Sequence, residues 1–437
     1  MHDLGAAADG KHGARGASFR QQIFSLSPSR FAILFALAFG SAVWLINGLL
    51  NGWWWSPPGL VNADGAHIGR DFVAFWSAAD LALGGTPASA YDHTVIHNVQ
   101  IGTIGAPIAF TPWFYPPFVQ ELLAPLAALP YPLALAVWLS VQLIGLLLVM
   151  RRFAPHWSAS VATVLFPATA QCLMIGQNGM LSTLIIVAGL SQLERKPLLA
   201  GAILGALSYK PHIAATVYAA LLFGGCWRSL GAAFLTTATL AGASVLAFGL
   251  APWAAFLSES HYARTALESG ELPWNLMTTV FASARSVGVD VYMAYAIQGA
   301  VTFGAFAALF AVWRRGGPLG PRAAILGAMI PLTTPYAYNY DLVVLLIPMF
   351  WLVRSGLQTG FSRSELTLLA MAWWISSVGW LIALSWHVLV TPLILMAFAF
   401  ILLRRVLAHG TPVIKRPVQL FDPQIFSTEE ATARSHA

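Results

Sequence analysis

Charged side chains are scarce in this sequence: only 9% of its 437 residues are Asp, Glu, Lys or Arg, whereas 58% are hydrophobic. This composition excludes a water-soluble globule and indicates an integral membrane protein. Cysteine is scarcer still, and both Cys172 and Cys226 lie within or beside apolar runs, which favours packing over a disulfide or a metal pair. The formal charge of +6 bears on membrane topology here, and no nucleic-acid partner is predicted.

Long apolar runs, by contrast, are abundant. A helix that spans a bilayer needs about 20 mostly apolar residues, and shorter runs can form tilted, broken or re-entrant spans. The apolar runs predict helices near residues 31–50, 132–150, 157–175, 178–193, 197–209, 211–225, 230–250, 290–313, 321–335, 340–353, 365–382 and 388–403. We therefore expect an all-α polytopic membrane protein, with a membrane domain at 31–405 between cytoplasmic polar tails at 1–30 and 406–437. Its first helix is expected to remain as an anchor, because no small-residue cleavage site follows it.

The cations indicate the orientation of these spans. With the N-terminus in the cytoplasm, nearly all Lys and Arg residues fall on the inner side, as the positive-inside bias requires, and two long loops at 51–117 and 251–289 lie outside. A cation on the outer side or within the membrane is costly unless it is paired or faces a wet cavity, so it is a functional candidate. The cations that remain there are Arg70, Lys210, Arg264 and Arg285.

The first outer loop contains the stretch GRDFVAFWSAADLALGG from residue 69. Phe72, Phe75 and Trp76 fall on one helical face, which predicts an amphipathic helix along the bilayer surface. Asp71 precedes this helix, where a general base could act on a lipid-borne substrate. Equally, Asp71 could only cap the helix by accepting hydrogen bonds from its first N–H groups.

Polar and aromatic residues at the outer helix ends are candidates for sugar binding. Tyr115 lies beside Pro116 and Pro117, although these residues could simply shape a return loop. Gln177 and Asn178 could bind hydroxyls, but Asn-Gly is also a common turn dipeptide. The stretch TTPYAYNYDLVVLL brings Tyr340 and Asp341 to another outer end, where aromatic rings suit carbohydrate stacking but are also common at the membrane interface.

Other residues suit a phosphate. Lys210 and His212 interrupt a long apolar stretch, and a lone lysine there needs an anion unless it snorkels to the surface. In the second outer loop, Asn275 and Arg285 flank a predicted short helix, and Arg285 could clamp a phosphate or cap that helix. His93 and His97 have the spacing of a helical metal pair, but no third ligand is evident at a telling spacing, so we predict no metal site.

Five stretches in order resemble the polyprenyl-phosphate-mannose-dependent α-mannosyltransferases of the GT-C superfamily, glycosyltransferase family 87. They are GRDFVAFWSAADLALGGTPASAYD, FYPPFVQELLAPLAALPYPLALAVW, GQNG, YKP and PYAYNYD, and the similarity covers roughly residues 30–400. The resemblance implies a GT-C-like bundle of about 12 transmembrane helices, with two long periplasmic loops carrying short amphipathic helices, in a bacterial inner membrane.

The resemblance also implies an activity. It implies an inverting enzyme that moves mannose from a polyprenyl-phosphate donor to a lipid or glycan acceptor on the periplasmic face, with Asp71 as general base and no cofactor. Arg70, next to Asp71, could orient this carboxylate, lower its pKa or bind the phosphate itself. The second outer loop departs from the family pattern, because Leu276 and Met277 stand where a small polar residue often follows the position of Asn275.

Two rival functions stay open on the sequence. A transporter or flippase fits the number of spans, but it predicts repeated halves and ionisable residues near mid-membrane, whereas no obvious repeat is present and most polar candidates collect on one face. A non-catalytic membrane scaffold would have no need of Asp71.

Overall fold

The computed structural model of this protein describes residues 39–50, 59–62, 65–153 and 157–408. These residues form helices and connecting segments, without a β-strand among them. The polar tail at 1–30, the tryptophans at 53–55 and nearly all of the tail at 406–437 lie outside the described residues, as do Arg20, Arg30, Lys415 and Arg416. The prediction of an all-α membrane protein is confirmed.

The α-helices are numbered here in chain order. They are α1 (Phe39–Leu50), α2 (Phe72–Leu83), α3 (His93–Ile104), α4 (Pro117–Ala127), α5 (Tyr131–Phe153), α6 (Trp157–Leu165), α7 (Pro167–Ile175), α8 (Gly179–Gln192), α9 (Pro197–Gly205), α10 (Pro211–Phe223), α11 (Trp227–Phe248), α12 (Ala251–Ser269), α13 (Val280–Ser286), α14 (Val291–Arg314), α15 (Leu319–Met329), α16 (Leu346–Thr359), α17 (Arg363–Trp386) and α18 (Thr391–Ala408). Short 3₁₀ segments extend α9 through Ala206–Tyr209 and precede α16 at Asn339–Leu345.

Each of the twelve predicted spans overlaps at least one of these helices. In the described part of the chain, six helices are long and apolar enough to cross a membrane, and a seventh span results if α6 and α7 are one span bent by 57°. The bend falls at Phe166, directly before Pro167, since proline cannot donate the backbone hydrogen bond that would continue α6. The remaining apolar helices have 10–17 residues, so the count of about twelve spans stays a prediction.

The helices run between two ends of the bundle. Helices α7, α9 and α15 run toward the end that holds the segments around Gln177, Lys210 and Tyr336, and the helices that follow them run away from it. The connections at the opposite end meet through ion pairs, Arg322 with Glu194 at 3.0 Å and Arg405 with Glu365 at 2.6 Å. That opposite end also holds Arg151, Arg195, Lys196, Arg228, Arg314, Arg315, Arg354, Arg363 and Arg404.

The structure corrects the prediction for the helix after Asp71. Nine of the twelve residues of α2 are buried, and Phe72 and Phe75 belong to the main hydrophobic core. Phe72 packs against Tyr131 with ring centroids 5.4 Å apart, and Phe75 packs edge-on against Trp113 at 5.6 Å. The prediction of an amphipathic helix on the bilayer surface was wrong because protein covers α2 on more than one face.

The second outer loop packs around a small hydrophobic cluster of its own, which includes Leu267, Met277 and Phe281. It joins the first outer loop through Glu259 on α12, whose carboxylate lies 2.9 Å from His93 Nε2. His97, which has the spacing of a helical metal pair with His93, forms a hydrogen bond with the carbonyl of Ile108 at 2.9 Å. His93 therefore joins the two outer loops, whereas His97 makes a contact within the first of them.

Candidate functional site

Three distant segments of the chain meet at one end of the bundle: residues 69–71, 176–179 and 336–341. The backbone N–H of Asp71 donates to the carbonyl of Ile175 at 2.9 Å, which fixes the first segment to the second. Cys172, one turn before that carbonyl, lies with its Sγ 3.5 Å from the carbonyl oxygen of Tyr340, so the third segment is also in contact. Several of the predicted site residues therefore lie together.

The two glycines of the GQNG motif make this approach possible. Gly176 has a φ of 77°, a left-handed conformation, and a Cβ there would lie 2.5 Å from Cβ of Phe72. A Cβ on Gly179 would lie 2.0 Å from the carbonyl oxygen of Tyr340. The motif thus provides the contact surface for both other segments, in addition to the turn that its Asn-Gly pair predicted.

We expect Gly179→Ala to separate residues 336–341 from Asn178. The added methyl group would overlap the carbonyl of Tyr340, so backbone must move, at a cost of roughly 1–3 kcal/mol in stability and with loss of activity. Thermal unfolding in detergent and a glycosyl-transfer assay would measure both effects. Gly242→Ala on α11 is the matched control, because a Cβ there meets nothing within 4 Å; equal behaviour of the two variants would contradict the close contact.

Asp71 occupies the N-cap position of α2, but its side chain makes no capping hydrogen bond. Its Oδ2 instead accepts a hydrogen bond from Gln177 Nε2 at 3.0 Å. Burial raises the pKa of this carboxyl group above its usual range, against the hydrogen bond from Gln177 and the charge of Arg70, which both lower it. The capping interpretation of Asp71 is therefore wrong, and its carboxylate faces the meeting point of the three segments.

A group of aromatic and amide side chains begins at Asn178, the residue after Gln177. Asn178 Nδ2 donates to the hydroxyl of Tyr115 at 2.9 Å, and the Tyr115 ring stacks against Tyr209 at 6.2 Å. The Tyr209 hydroxyl is held in turn by Ser182 at 2.6 Å. Asn178 Oδ1 is buried and has no partner among the described residues, so it is an acceptor left available to a ligand or a water molecule.

Lys210 and Asp341, 131 residues apart in the chain, form a buried ion pair with Nζ 2.5 Å from Oδ1. Lys210 also lies over the Tyr340 ring at 5.0 Å. The other carboxylate oxygen of Asp341 accepts the backbone N–H of Tyr338 at 3.1 Å. The anion that the isolated lysine required is thus present in the protein itself.

His212 follows Lys210 at the start of α10, and its ring packs against Tyr336 with centroids 5.8 Å apart. His212 Nε2 is buried without a hydrogen-bond partner in the described part of the chain. Tyr336 in turn packs edge-on against Tyr338, with ring centroids 5.5 Å apart, and Tyr338 stacks on Tyr340 at 5.4 Å. A row of rings therefore runs from His212 to the segment that holds Asp341.

The second outer loop reaches this group through its backbone. The N–H of Thr278 donates to the carbonyl of Ala337 at 3.0 Å, and Asn275 lies three residues before this contact. Arg285 lies farther along the loop, and its terminal nitrogens donate to the carbonyls of Val289 at 2.7 Å and Glu268 at 3.0 Å. Arg285 thus binds the loop's own backbone, whereas Asn275 makes no side-chain hydrogen bond with the described residues.

Arg264 and Arg70, the other cations of the outer side, differ in their surroundings. Arg264 pairs with Glu268 at 2.8 Å, one turn along α12. Arg70 is exposed next to Asp71, and no described carboxylate forms an ion pair with it. Of these two cations, Arg70 is therefore the one with a charge available at the site.

Aromatic residues that were not predicted as site residues hold these groups in place. The Trp138 indole donates to the carbonyl of Gly176 at 2.9 Å, and the Tyr131 hydroxyl donates to the carbonyl of Ile68 at 2.8 Å. Tyr209, which supports Tyr115, was also not among the predicted site residues. Aromatic residues with a polar atom inside apolar helices are the available signal, since a buried indole N–H or phenol usually needs a partner.

No group of three or more His, Cys, Asp or Glu that could hold a metal ion is present in the described ranges.

Comparison with known proteins gives one family. The model of glycosyltransferase family 87 matches residues 113–335, just over half of the 437 residues. Comparison with curated proteins and with solved structures gave no match. The matched range contains Tyr115, Gln177 and Lys210, while Asp71 precedes it and Asp341 follows it.

Proposed function

The chain belongs to glycosyltransferase family 87, and from this premise we propose that it transfers a hexose, specifically mannose, from a polyprenyl-phosphate donor to a lipid or glycan acceptor. That the protein is a membrane glycosyltransferase follows from the family and from its apolar helices. The sugar, the lipid carrier, the acceptor and the inverting course are parts of the proposal. The chemistry needs no nucleic acid and no cofactor.

The proposed step is a single displacement at the anomeric carbon. The acceptor hydroxyl attacks C1 of the sugar, its proton passes to the Asp71 carboxylate, and the bond from C1 to the phosphate oxygen breaks with its electron pair on the phosphate. The products are the glycosylated acceptor and polyprenyl phosphate. Attack opposite to the leaving group inverts the configuration at C1.

The observation that supports this proposal most is the environment of Asp71. Its carboxylate does not cap α2, accepts a hydrogen bond from the Gln177 amide, and has a raised pKa because it is buried. A stronger base removes a hydroxyl proton more readily, provided that it is ionised at the working pH. The charge of Arg70 and the hydrogen bond from Gln177 both favour the ionised form.

The remaining side chains suggest how the substrates would be bound. We assign the donor phosphate to Arg70, because it is the exposed cation next to the base, whereas Lys210 and Arg285 already have protein partners. Asn178 and Tyr115 would bind sugar hydroxyls. The Tyr340 ring is buried, with Tyr338 stacked on it at 5.4 Å and Lys210 over it at 5.0 Å, so it is left out of this assignment. His212 Nε2 is buried without a partner among the described residues, and the Asn275 side chain makes no hydrogen bond with them. We therefore propose that both contact the substrates.

The transporter, the flippase and the scaffold receive less support. The family assignment favours an enzyme, and the polar candidates lie at one end of the bundle, with a base among them. A carrier would need groups that can be reached from both sides of the membrane. A panel of purified donors that differ in sugar or in carrier would test the proposal, and we expect transfer from polyprenyl-phosphate-mannose and none from a nucleotide-linked mannose.

The site end of the bundle is proposed to face the periplasm of a bacterial inner membrane, because the opposite end holds the arginine-rich connections. Single cysteines can test this orientation in a variant whose own Cys172 and Cys226 are replaced by Ala. Thr265→Cys, on the exposed face of α12, should react with an impermeant maleimide in spheroplasts. Ser364→Cys, exposed at the other end, should react only after the membrane is permeabilised; the reverse pattern would overturn the orientation.

A further inference from the structure

We propose that Gln177 is a positioning residue, which orients the Asp71 carboxylate so that Oδ1 is the oxygen that receives the proton. This inference rests on the proposed role of Asp71 as the base. It gives Gln177 a different role from the sugar binding predicted for it from the sequence.

The Gln177 side chain is held at both ends of its amide. Nε2 donates to Asp71 Oδ2 at 3.0 Å, and Oε1 accepts the backbone N–H of Asn178 at 3.2 Å. Turning the amide by 180° would place two acceptors against each other at Asp71 and two donors against each other at Asn178. Only one orientation satisfies both contacts, so the N–H group must face the carboxylate.

The backbones of Asp71 and Gln177 belong to one rigid frame. The N–H of Asp71 donates to Ile175, and the Trp138 indole binds the carbonyl of Gly176 at 2.9 Å. Gly176, the residue before Gln177, packs closely against Phe72, because a Cβ on Gly176 would lie only 2.5 Å from Cβ of Phe72. The distance from the amide to the carboxylate is therefore set by the fold.

This geometry distinguishes the two carboxylate oxygens. Oδ2 is occupied by the amide of Gln177, whereas no donor among the described residues binds Oδ1. A proton taken from the acceptor hydroxyl therefore goes to Oδ1. Gln177 itself is nearly buried and has its amide groups engaged within the protein, which leaves little of it to bind a sugar.

The test is Gln177→Leu, which keeps a side chain of similar size but removes the amide. We expect kcat to fall about tenfold or more while KM for the donor changes little, because a charge-assisted hydrogen bond to the base is lost. Asp71 must be ionised to act, and the bond from Gln177 lowers its pKa. Without that bond its pKa rises, so the acidic limb of the pH–kcat profile should move to higher pH.

Gln142→Leu is the matched control. Gln142 is a buried glutamine whose amide bonds only backbone groups, the carbonyl of Trp138 at 3.3 Å and the N–H of Leu181 at 3.2 Å. The substitution Gln142→Leu removes a buried amide close to Trp138 without removing a bond to Asp71. The acidic limb of the pH–kcat profile of this variant should therefore stay at the wild-type pH. A shift of similar size in Gln142→Leu would mean that general loosening of the fold, and no direct bond to Asp71, is responsible.

Asp71→Asn and the double variant complete the set. If Gln177 acts through Asp71, then Gln177→Leu should slow Asp71→Asn little further, because there is no longer a base to orient. A higher donor KM with an unchanged acidic limb, or losses that multiply in the double variant, would overturn the positioning role while leaving Asp71 as base. Wild-type turnover by Asp71→Asn would overturn both proposals.

Discussion

Asp71→Asn should lower the rate of glycosyl transfer about a hundredfold or more, the contribution typical of a general base. Asn has nearly the size of Asp but cannot accept the hydroxyl proton at neutral pH. Because the Asp71 side chain caps no N–H group of α2, the substitution removes no capping bond. We therefore expect the variant to fold, to insert into the membrane and to bind the donor as the wild type does.

The measurement is a transfer rate, taken together with donor affinity and the temperature of unfolding in detergent. Asp80→Asn is a matched control, since Asp80 is a second half-buried carboxylate on α2 that makes no hydrogen bond or ion pair with the described residues. Its transfer rate should stay near that of the wild type. If a well-folded Asp71→Asn enzyme turned over as fast as Asp80→Asn, Asp71 would not be the base.

Lys210→Met should destabilise the protein by about 3–5 kcal/mol, because it leaves the carboxylate of Asp341 buried without its partner. The exposed fraction is only 4% for Lys210 and 7% for Asp341, so water cannot replace the lost ammonium group. Among the described residues, the Tyr338 N–H would remain as the hydrogen-bond donor to this carboxylate. Denaturant or thermal unfolding in detergent would measure the loss.

A second variant separates this stabilising role from phosphate binding. Replacing both partners, with Lys210→Met and Asp341→Leu together, removes the unpaired charge, and stability should recover toward that of the wild type. If Lys210→Met were as stable as the wild type but bound the donor more weakly, Lys210 would contact the phosphate instead. Donor affinity of the double variant would then be low as well.

The sequence predicted the helices well but not their surroundings. Apolar runs locate the helix that begins at Phe72, yet the same periodicity fits a helix against lipid and a helix against protein. The rings of Tyr131, Trp113 and Trp138 that cover α2 lie between about 40 and 65 residues further along the chain. Burial of α2 therefore depends on tertiary contacts, which a single sequence does not contain.

In the candidate site, too, the sequence identified residues but not their partners. Lys210 was noticed because it is an isolated cation, but its partner Asp341 is 131 residues away, and no spacing rule connects the two. Arg285 met the same criterion, and the structure instead gives it backbone carbonyls of its own loop as partners. Charge in an apolar context identifies residues that need a partner, and only the fold decides whether that partner is the protein or a substrate.

The glycines of the GQNG motif were predicted only as a turn. Their role in bringing the Asp71 and Tyr340 segments together depends on the atoms that lie against each glycine in the fold, Cβ of Phe72 at Gly176 and the carbonyl oxygen of Tyr340 at Gly179. A glycine that is required for a turn and one that is required for close approach look alike in a sequence.

The most direct test of the account is transfer by the purified wild-type protein in liposomes that contain polyprenyl-phosphate-mannose, radiolabelled in the sugar, and a lipid extract as the source of acceptor. We expect the label to leave the donor for an acceptor, with release of polyprenyl phosphate and with inverted configuration at the anomeric carbon. Recovery of all label in intact donor, whether on its original side of the bilayer or on the other, would contradict the account, and movement to the other side would identify a flippase.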